Sequence, residues 1–416
     1  MTTTPIARPP RRTAHSLSAL DEGAALPARY TLEGSENATL HLRGEDGAAR
    51  RCTDLMSAYA SVNFGHRNPE LDPVLAGGSD LAALFYPPQA ELLADWLCRR
   101  LGLGADGRVL FQVGGSFAVS SALALARRAR PGRVLAIRGA FHGLGVDAQA
   151  VTTVHRAYAL QDTGFADRIA DQVTHLEPGA VPGDWDDVSC VLYETVQGAN
   201  GYVPLDVEWL AELQAAARRA GALTIADEIQ GGYYRHGHLS PAVAAGLDPD
   251  ILLFGKSLTN GLFPLSAVVY RSGLESAATS EVHLAHTFQT ATLGFAAGWE
   301  VARYLDRSPV ESWCRRVGAA LERAARHWSE AGLATAVRLT GPTLSFEPVG
   351  PSAAEVVQGA FRRDVLVFAG GDDGRRIRIA PPLTIPETQL DAALDAVTAA
   401  LAEDRPTRPL GDHHGS

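Results

Sequence analysis

Residues 223–257 read LTIADEIQGGYYRHGHLSPAVAAGLDPDILLFGKS. Two short apolar runs, "LTIA" and "ILLF", stand out, each followed closely by a residue able to do chemistry: Asp227 closes the first, and Lys256 follows the second across Gly255. Continuous apolar runs of this length are read as strands buried on both faces. Lys256 is the only lysine among 37 basic residues; the other 36 are arginine. On an exposed surface either cation serves, but a guanidinium does not deprotonate and cannot act as an amine nucleophile. A lysine at the end of an apolar strand is desolvated, which lowers its pKa and favours the neutral nucleophile able to form a Schiff base with a carbonyl cofactor. Asp227 lies 29 residues earlier, at the carboxyl edge of its strand, where open α/β sheets place their ligands. A carboxylate there can keep a pyridine nitrogen protonated.

Working outward, the same texture repeats. "RVLFQVG" (108–114) precedes the helix pattern "SFAVSSALALARRAR"; "RVLAIRG" (133–139), "SCVLYETV" (189–196), the amphipathic "DVEWLAELQAAARRAG" (206–221) and "LSAVVY" (265–270) continue it. Apolar strands with helices between them predict an α/β fold with a mostly parallel sheet covered on both faces. Beyond about residue 306 the order changes to helix, two strands, helix, strand and a final helix, which predicts a smaller α+β domain joined by the N-terminal segment. The expected organisation is a large domain over 57–305, a small domain over 20–56 and 306–405, and disordered tails at 1–19 and 406–416.

The composition narrows the partners. A chain of 416 residues, 46% hydrophobic, with net charge −10 and pI near 5.7, offers no basic footprint for nucleic acid or an anionic membrane. No signal peptide and no membrane-spanning run is visible, and Cys52, Cys98, Cys190 and Cys314 lack metal or redox spacing. A cytoplasmic protein with reduced thiols and no metal is expected.

Two near-matches to nucleotide motifs fail on context. "GLGADG" (102–107) precedes a strand, whereas the dinucleotide turn must follow one. "FGKS" (254–257) ends like a phosphate loop, but the glycine required five residues before Gly255 is Asp250. "VGGSF" (113–117), in contrast, joins a strand to a helix, so its glycines allow close backbone approach while Ser116 and helix N–H groups can receive a phosphate.

The segment from Thr224 to Val269 resembles the cofactor-lysine region of the class III, ornithine-aminotransferase-like pyridoxal-phosphate enzymes. "DLMSAYASVNFGHRNP" (54–69), "FHG", "YETVQG", "HTF" and "RIAPPL" follow in that family's order, over roughly residues 35 to 400. The resemblance implies fold type I, with a seven-stranded-type sheet sandwiched by helices, and pyridoxal 5′-phosphate as cofactor. It implies that Lys256 forms the Schiff base and shuttles the proton, and that Asp227 pairs with the ring nitrogen. Phe141 and Ile229 would flank the ring, Gln230 would meet its phenolic oxygen, and Glu194 of "YETVQG" would belong to the cofactor site. Gly115 and Ser116 would hold the phosphate, with Thr287 from a second subunit, so a homodimer with shared active sites is implied. Arg378 would receive a substrate carboxylate, and Tyr59 and Tyr86 would line the substrate channel.

The chain departs from that pattern where substrates are chosen. Leu144 stands where many relatives carry arginine, and Ala199 replaces the glutamate that would pair with Arg378. The phosphate turn has Gly114 and Phe117 where Ser or Thr and a glutamate are usual. The reading that results is an aminotransferase in specialised biosynthesis, moving an amino group from a donor with little distal charge to an oxo acceptor. An aminomutase, a racemase or epimerase, or an amine lyase would begin with the same carbanion, and a non-catalytic relative is a further alternative.

Overall fold

The computed structural model describes residues 30–77, 85–154, 171–278 and 284–403. The expected tails at 1–19 and 406–416 lie outside the described residues.

From the N-terminus, β1 (Tyr30–Glu36), β2 (Thr39–Gly44) and β3 (Ala49–Asp54) form an antiparallel meander. Seven strands then build the large sheet: β4 (Gly107–Val113), β5 (Arg133–Ile137), β6 (Val173–Leu176), β7 (Val188–Tyr193), β8 (Leu223–Asp227), β9 (Ile251–Phe254) and β10 (Leu265–Arg271). Their spatial order is β4-β10-β9-β8-β7-β5-β6. Only β10 runs antiparallel, against both β9 and β4. The expectation of a mostly parallel sheet is met, and "LSAVVY" is the exception within it.

Helices cover both faces, which is why the central strand β9 is apolar at every position. Alternate residues sort to opposite sides. Leu252 and Phe254 pack in a core with Trp96 of α1 (Pro88–Arg100), while Ile251 and Leu253 pack in another with Ala118 and Val119 of α2 (Gly115–Ala129). The amphipathic stretch at 206–221 becomes α3 (Val207–Ala220): Asp206 caps its first turn by accepting from the Trp209 N–H, and Gly221 ends it at φ +74°. Helix α4 (Thr292–Arg307) buries Phe295 and Val301 in the Trp96 core.

Toward the C-terminus follow α5 (Val310–Glu330), β11 (Ala334–Leu339), β12 (Leu344–Pro348), α6 (Ala353–Arg362), β13 (Val365–Leu366), β14 (Phe368–Gly370), β15 (Arg376–Ile379) and α7 (Glu387–Leu401). Strands β11, β12, β15 and β14 form an antiparallel sheet in that order, and β13 joins β3 in parallel. The N- and C-terminal segments therefore share a sheet, and Leu55, Trp328, Phe346 and Val397 share one core.

Register brings the chemistry of the opening stretch to one edge. Strands β8 and β9 are parallel neighbours with Asp227 opposite Leu253, so the carboxyl end of each strand delivers its functional residue to the same rim of the sheet.

A left-handed turn borders that rim. Ser57, Ala58, Tyr59 and Ala60 have φ of +49°, +46°, +58° and +68°, a conformation that costs non-glycine residues roughly 1–2 kcal/mol each. Local and long-range hydrogen bonds together hold it in place. Asp54 accepts from the Met56 and Ser57 N–H groups at 2.7 and 3.2 Å, the Ser57 hydroxyl donates to the Ala380 carbonyl at 2.7 Å, and the Ser257 hydroxyl donates to the Ala60 carbonyl at 2.8 Å. Ala58 is exposed, so its methyl adds strain without packing. Ala58→Gly should stabilise the protein by about 0.5–1 kcal/mol, the relief exceeding the added chain entropy of roughly 0.4–1 kcal/mol. A melting temperature that falls in calorimetry would contradict this account of the turn.

Candidate active site

Lys256 opens a short 3-10 turn just past β9, in the left-handed region at φ +49°. Gly255 lets it approach the segment that follows β8: a Cβ on that glycine would sit 3.3 Å from Ile229 Cγ2. Burial lowers the Lys256 ammonium to about 8; the charges of Glu194 and Asp227 oppose the shift, and that of Arg378 adds to it. Near pH 8 the neutral amine is therefore as abundant as the ammonium, as the composition argument requires of a nucleophile.

Asp227 is buried, with both carboxylate oxygens engaged. Oδ2 accepts from His142 Nδ1 at 2.7 Å, and Oδ1 accepts from the Ile229 N–H at 3.0 Å. A carboxylate so fixed presents a settled orientation to the rim.

The turn between β4 and α2 supplies an anion seat. Gly114 takes φ +79°, which a side chain tolerates poorly, and Gly115 and Ser116 open a 15-residue helix. The Ser116 hydroxyl accepts from the Leu144 N–H at 3.2 Å. Gly143 explains the "FHG" signature, since a Cβ there would lie 2.3 Å from Ser116 Oγ. Ile229 is also packed here: a Cβ on Gly115 would be 3.1 Å from its Cγ2.

Glu194 ties two loops together. Its Oε1 accepts from the Phe141 N–H at 2.8 Å and its Oε2 from the Gly198 N–H at 3.2 Å. Gln230 donates from Nε2 to the Tyr59 carbonyl at 3.5 Å, and its carbonyl oxygen occupies the space that any Cβ on Gly198 would need. The guanidinium of Arg378, buried on β15, donates to the Gly198 carbonyl at 3.1 Å and the Ala369 carbonyl at 3.4 Å, and its Cζ lies 4.0 Å from the centre of the Phe368 ring.

The expected residues thus gather to different degrees. Lys256, Asp227, Glu194 and Arg378 sit near enough to shift one titration; Gly115, Ser116, Ile229 and Leu144 form one contact group, and Gln230 reaches Tyr59. Tyr86 packs instead against Phe295 with ring centres 5.8 Å apart, and Thr287 is exposed beside His286, whose ring lies 6.4 Å from that of Phe117. Among the described residues no cluster of three or more His, Cys, Asp or Glu could hold a metal ion, and no helix is long and apolar enough to cross a membrane.

Several residues joined the site without having been singled out in the sequence. His142 stood inside "FHG", and its pairing with Asp227, 85 residues away, left no local signal. Arg235 is fully buried and donates to the Ser57 hydroxyl, to the Asn63 side-chain carbonyl and to the backbone carbonyls of Ala380, Pro381 and Pro342. Nothing local marked it, because its partners lie more than a hundred residues away.

Glu228 is buried behind Asp227, its Oε1 accepting from the Thr195 hydroxyl at 3.0 Å and the Ala242 N–H at 2.8 Å. Burial raises Glu228 from 4.5 to about 8 and Glu194 from 4.5 to about 7. An unfolded glutamate has lost its proton in that window while the native one keeps it, so stability falls as pH rises from about 4.5 to 8. Lys256 acts oppositely: between about 8 and 10.5 the unfolded chain binds the extra proton and stability rises with pH. In protein stripped of cofactor, Glu228→Gln should shrink the fall in melting temperature between pH 5 and 8. An undiminished fall would assign the pH dependence to other groups.

The chain has relatives among known proteins. A family model for aminotransferase class-III matches residues 31–401. A diaminobutyrate–2-oxoglutarate transaminase of Nocardia farcinica is 30% identical over 391 residues, covering 86% of this chain and 87% of the relative. An acetylornithine aminotransferase of Listeria innocua is 27% identical over 86% of this chain and 92% of its own length. Among solved structures, an ornithine aminotransferase from Toxoplasma gondii superimposes with a TM-score of 0.80 at 22% identity, covering 92% of each chain. An amine transaminase from an uncultivated Pseudomonas species, solved with pyridoxal phosphate bound, gives a TM-score of 0.79 at 21% identity over 95% of this chain and 99% of that one.

Proposed function

The chain belongs to the class III aminotransferases and is a pyridoxal-phosphate-dependent transaminase; from that premise we propose which of its residues do the work and which amines it accepts. The observation that carries the reading is the shared sheet edge, where Asp227 ends β8 and Lys256 follows the adjacent β9, beside the helix N-terminus that carries Gly115 and Ser116.

The donor set fits the cofactor: a partly neutral amine for its aldehyde, a fixed carboxylate for its ring nitrogen, and a helix N-terminus with a hydroxyl for its phosphate. When bound, pyridoxal phosphate supplies an electron sink for the carbanion formed beside the donor's nitrogen. Lys256 Nζ removes the proton from the donor carbon and returns one to the acceptor carbon. Asp227, oriented by His142, would keep the ring nitrogen protonated. Phe141 and Ile229 would flank the ring and Gln230 would meet its oxygen, while Glu194 holds the Phe141 and Gly198 loops in register.

Arg378 receives a substrate carboxylate. Leu144, 56% exposed, together with Tyr59, presents an apolar wall where a distal charge would find no partner. Donors with an uncharged far end are accepted and ornithine-like donors are disfavoured. Phe117 and Phe288 are also largely exposed, at 59% and 56%; a second copy covering this patch completes the site with Thr287, in a homodimer.

A donor panel tests the substrate reading. Apolar amino acids alone should bleach the visible band of the purified holoenzyme, and an oxo acid should restore it. Preference for L-ornithine over neutral donors would overturn the substrate assignment, and proton exchange without bleaching would point to racemisation.

A further inference from the structure

Arg378 and Phe368 face one another directly across antiparallel strands β15 and β14, and their side chains stack, with Cζ 4.0 Å from the ring centre. Cross-strand partners project from the same face of a sheet, so the stack follows from the register. The other face of Phe368's surroundings is set by Tyr59, whose ring meets it edge-on with centres 5.0 Å apart and planes at 81°. Gly370, two residues along β14, closes the socket: a Cβ there would fall 2.2 Å from Arg378 Nε. Between these walls the guanidinium donates to the Gly198 and Ala369 carbonyls.

The geometry points to Phe368 as a specificity-determining positioning residue, which with Gly370 pins the Arg378 guanidinium in one plane so that the site selects ligands bearing a carboxylate. The inference rests on reading Arg378 as the seat of a substrate carboxylate. A planar guanidinium binds carboxylate well only when its edge is presented squarely, and a stacked ring fixes that plane. A ligand without a carboxylate leaves the pinned charge facing an apolar group, which is costly in a desolvated site. The apolar rings of Phe368 and Tyr59 favour an apolar remainder on the ligand. Selectivity thus comes from a guanidinium that is prevented from turning away.

Binding without turnover tests this. Titration calorimetry of the holoenzyme with 3-phenylpropionate and with 3-phenylpropanol compares two ligands that differ in the carboxylate. The wild type should prefer the acid at least tenfold. Phe368→Leu should cut that preference about tenfold, the size expected of one desolvated guanidinium–ring contact, and Phe368→Tyr should retain it. Gly370→Ala should cut it as well, although it removes neither charge nor ring. Because both ligands are measured on the same variant, a general loss of stability does not change the ratio. Preference kept in Phe368→Leu and Gly370→Ala but lost in Arg378→Leu would overturn the role given to Phe368 and leave that of Arg378 intact. No preference in the wild type, or one that survives Arg378→Leu, would refute the carboxylate reading of Arg378 and the inference with it.

Discussion

Lys256→Ala should lower transamination by at least about 10⁴-fold while the protein stays folded. Two functions leave with the side chain: the amine that joins the cofactor, and the base that moves the proton, a step worth about 10²–10⁴ by itself. Arginine at this position should fare no better, because a guanidinium neither loses its proton near neutrality nor attacks a carbonyl. Removing a buried ammonium also removes its desolvation cost, so the apo form of Lys256→Ala should melt no lower than wild-type apoprotein at pH 7. Turnover in Lys256→Ala or Lys256→Arg within tenfold of wild type would refute the assignment of Lys256 as nucleophile and base.

Asp227→Asn should cost about 10²–10³-fold in turnover, the range seen when one preorganised electrostatic group is removed from a site. The side chain keeps its size, but the ring nitrogen loses the negative charge that holds its proton. His142 is affected too, since the carboxylate oxygen that accepts from its Nδ1 becomes part of a neutral amide. The loss should fall on kcat more than on KM for the donor, because Asp227 is placed to act on the cofactor ring. An unchanged kcat with weakened donor binding would move Asp227 out of the electronic role and into substrate positioning.

Much of the site could be read along the chain because the responsible signals are local. A solitary lysine after "ILLF" and an aspartate after "LTIA" needed only strand periodicity and side-chain chemistry to be singled out. Gly114 and Ser116 were marked by a strand-to-helix junction, where left-handed backbone and free N–H groups are expected. The antiparallel direction of β10 was not marked: an apolar run buried on both faces has the same pattern whichever way it points.

Phe368 carries no local sign of its role. In sequence it is an apolar residue in "VLVFAGG", ten positions from Arg378, and only the β14–β15 register sets the two face to face. Arg235 and Ser257 are similar cases. Arg235 reaches Ser57 across 178 residues and Ala380 across 145, and Ser257 bridges Ala60 and Asn63 across 197 and 194. These contacts hold a strained left-handed turn beside the catalytic rim, and neither the strain nor its restraint leaves a periodic trace.

The sequence by itself determined the alternation of buried strands and covering helices, the amine at position 256, the carboxylate at 227 and the missing charge at 144. Each follows from side-chain chemistry and nearest-neighbour periodicity, which are written residue by residue. Only the tertiary structure decided that β8 and β9 are neighbours, that His142 backs Asp227 and that Phe368 lies against Arg378. These depend on which distant segments pay their chain entropy to pack together, a property of the whole fold's closure and register.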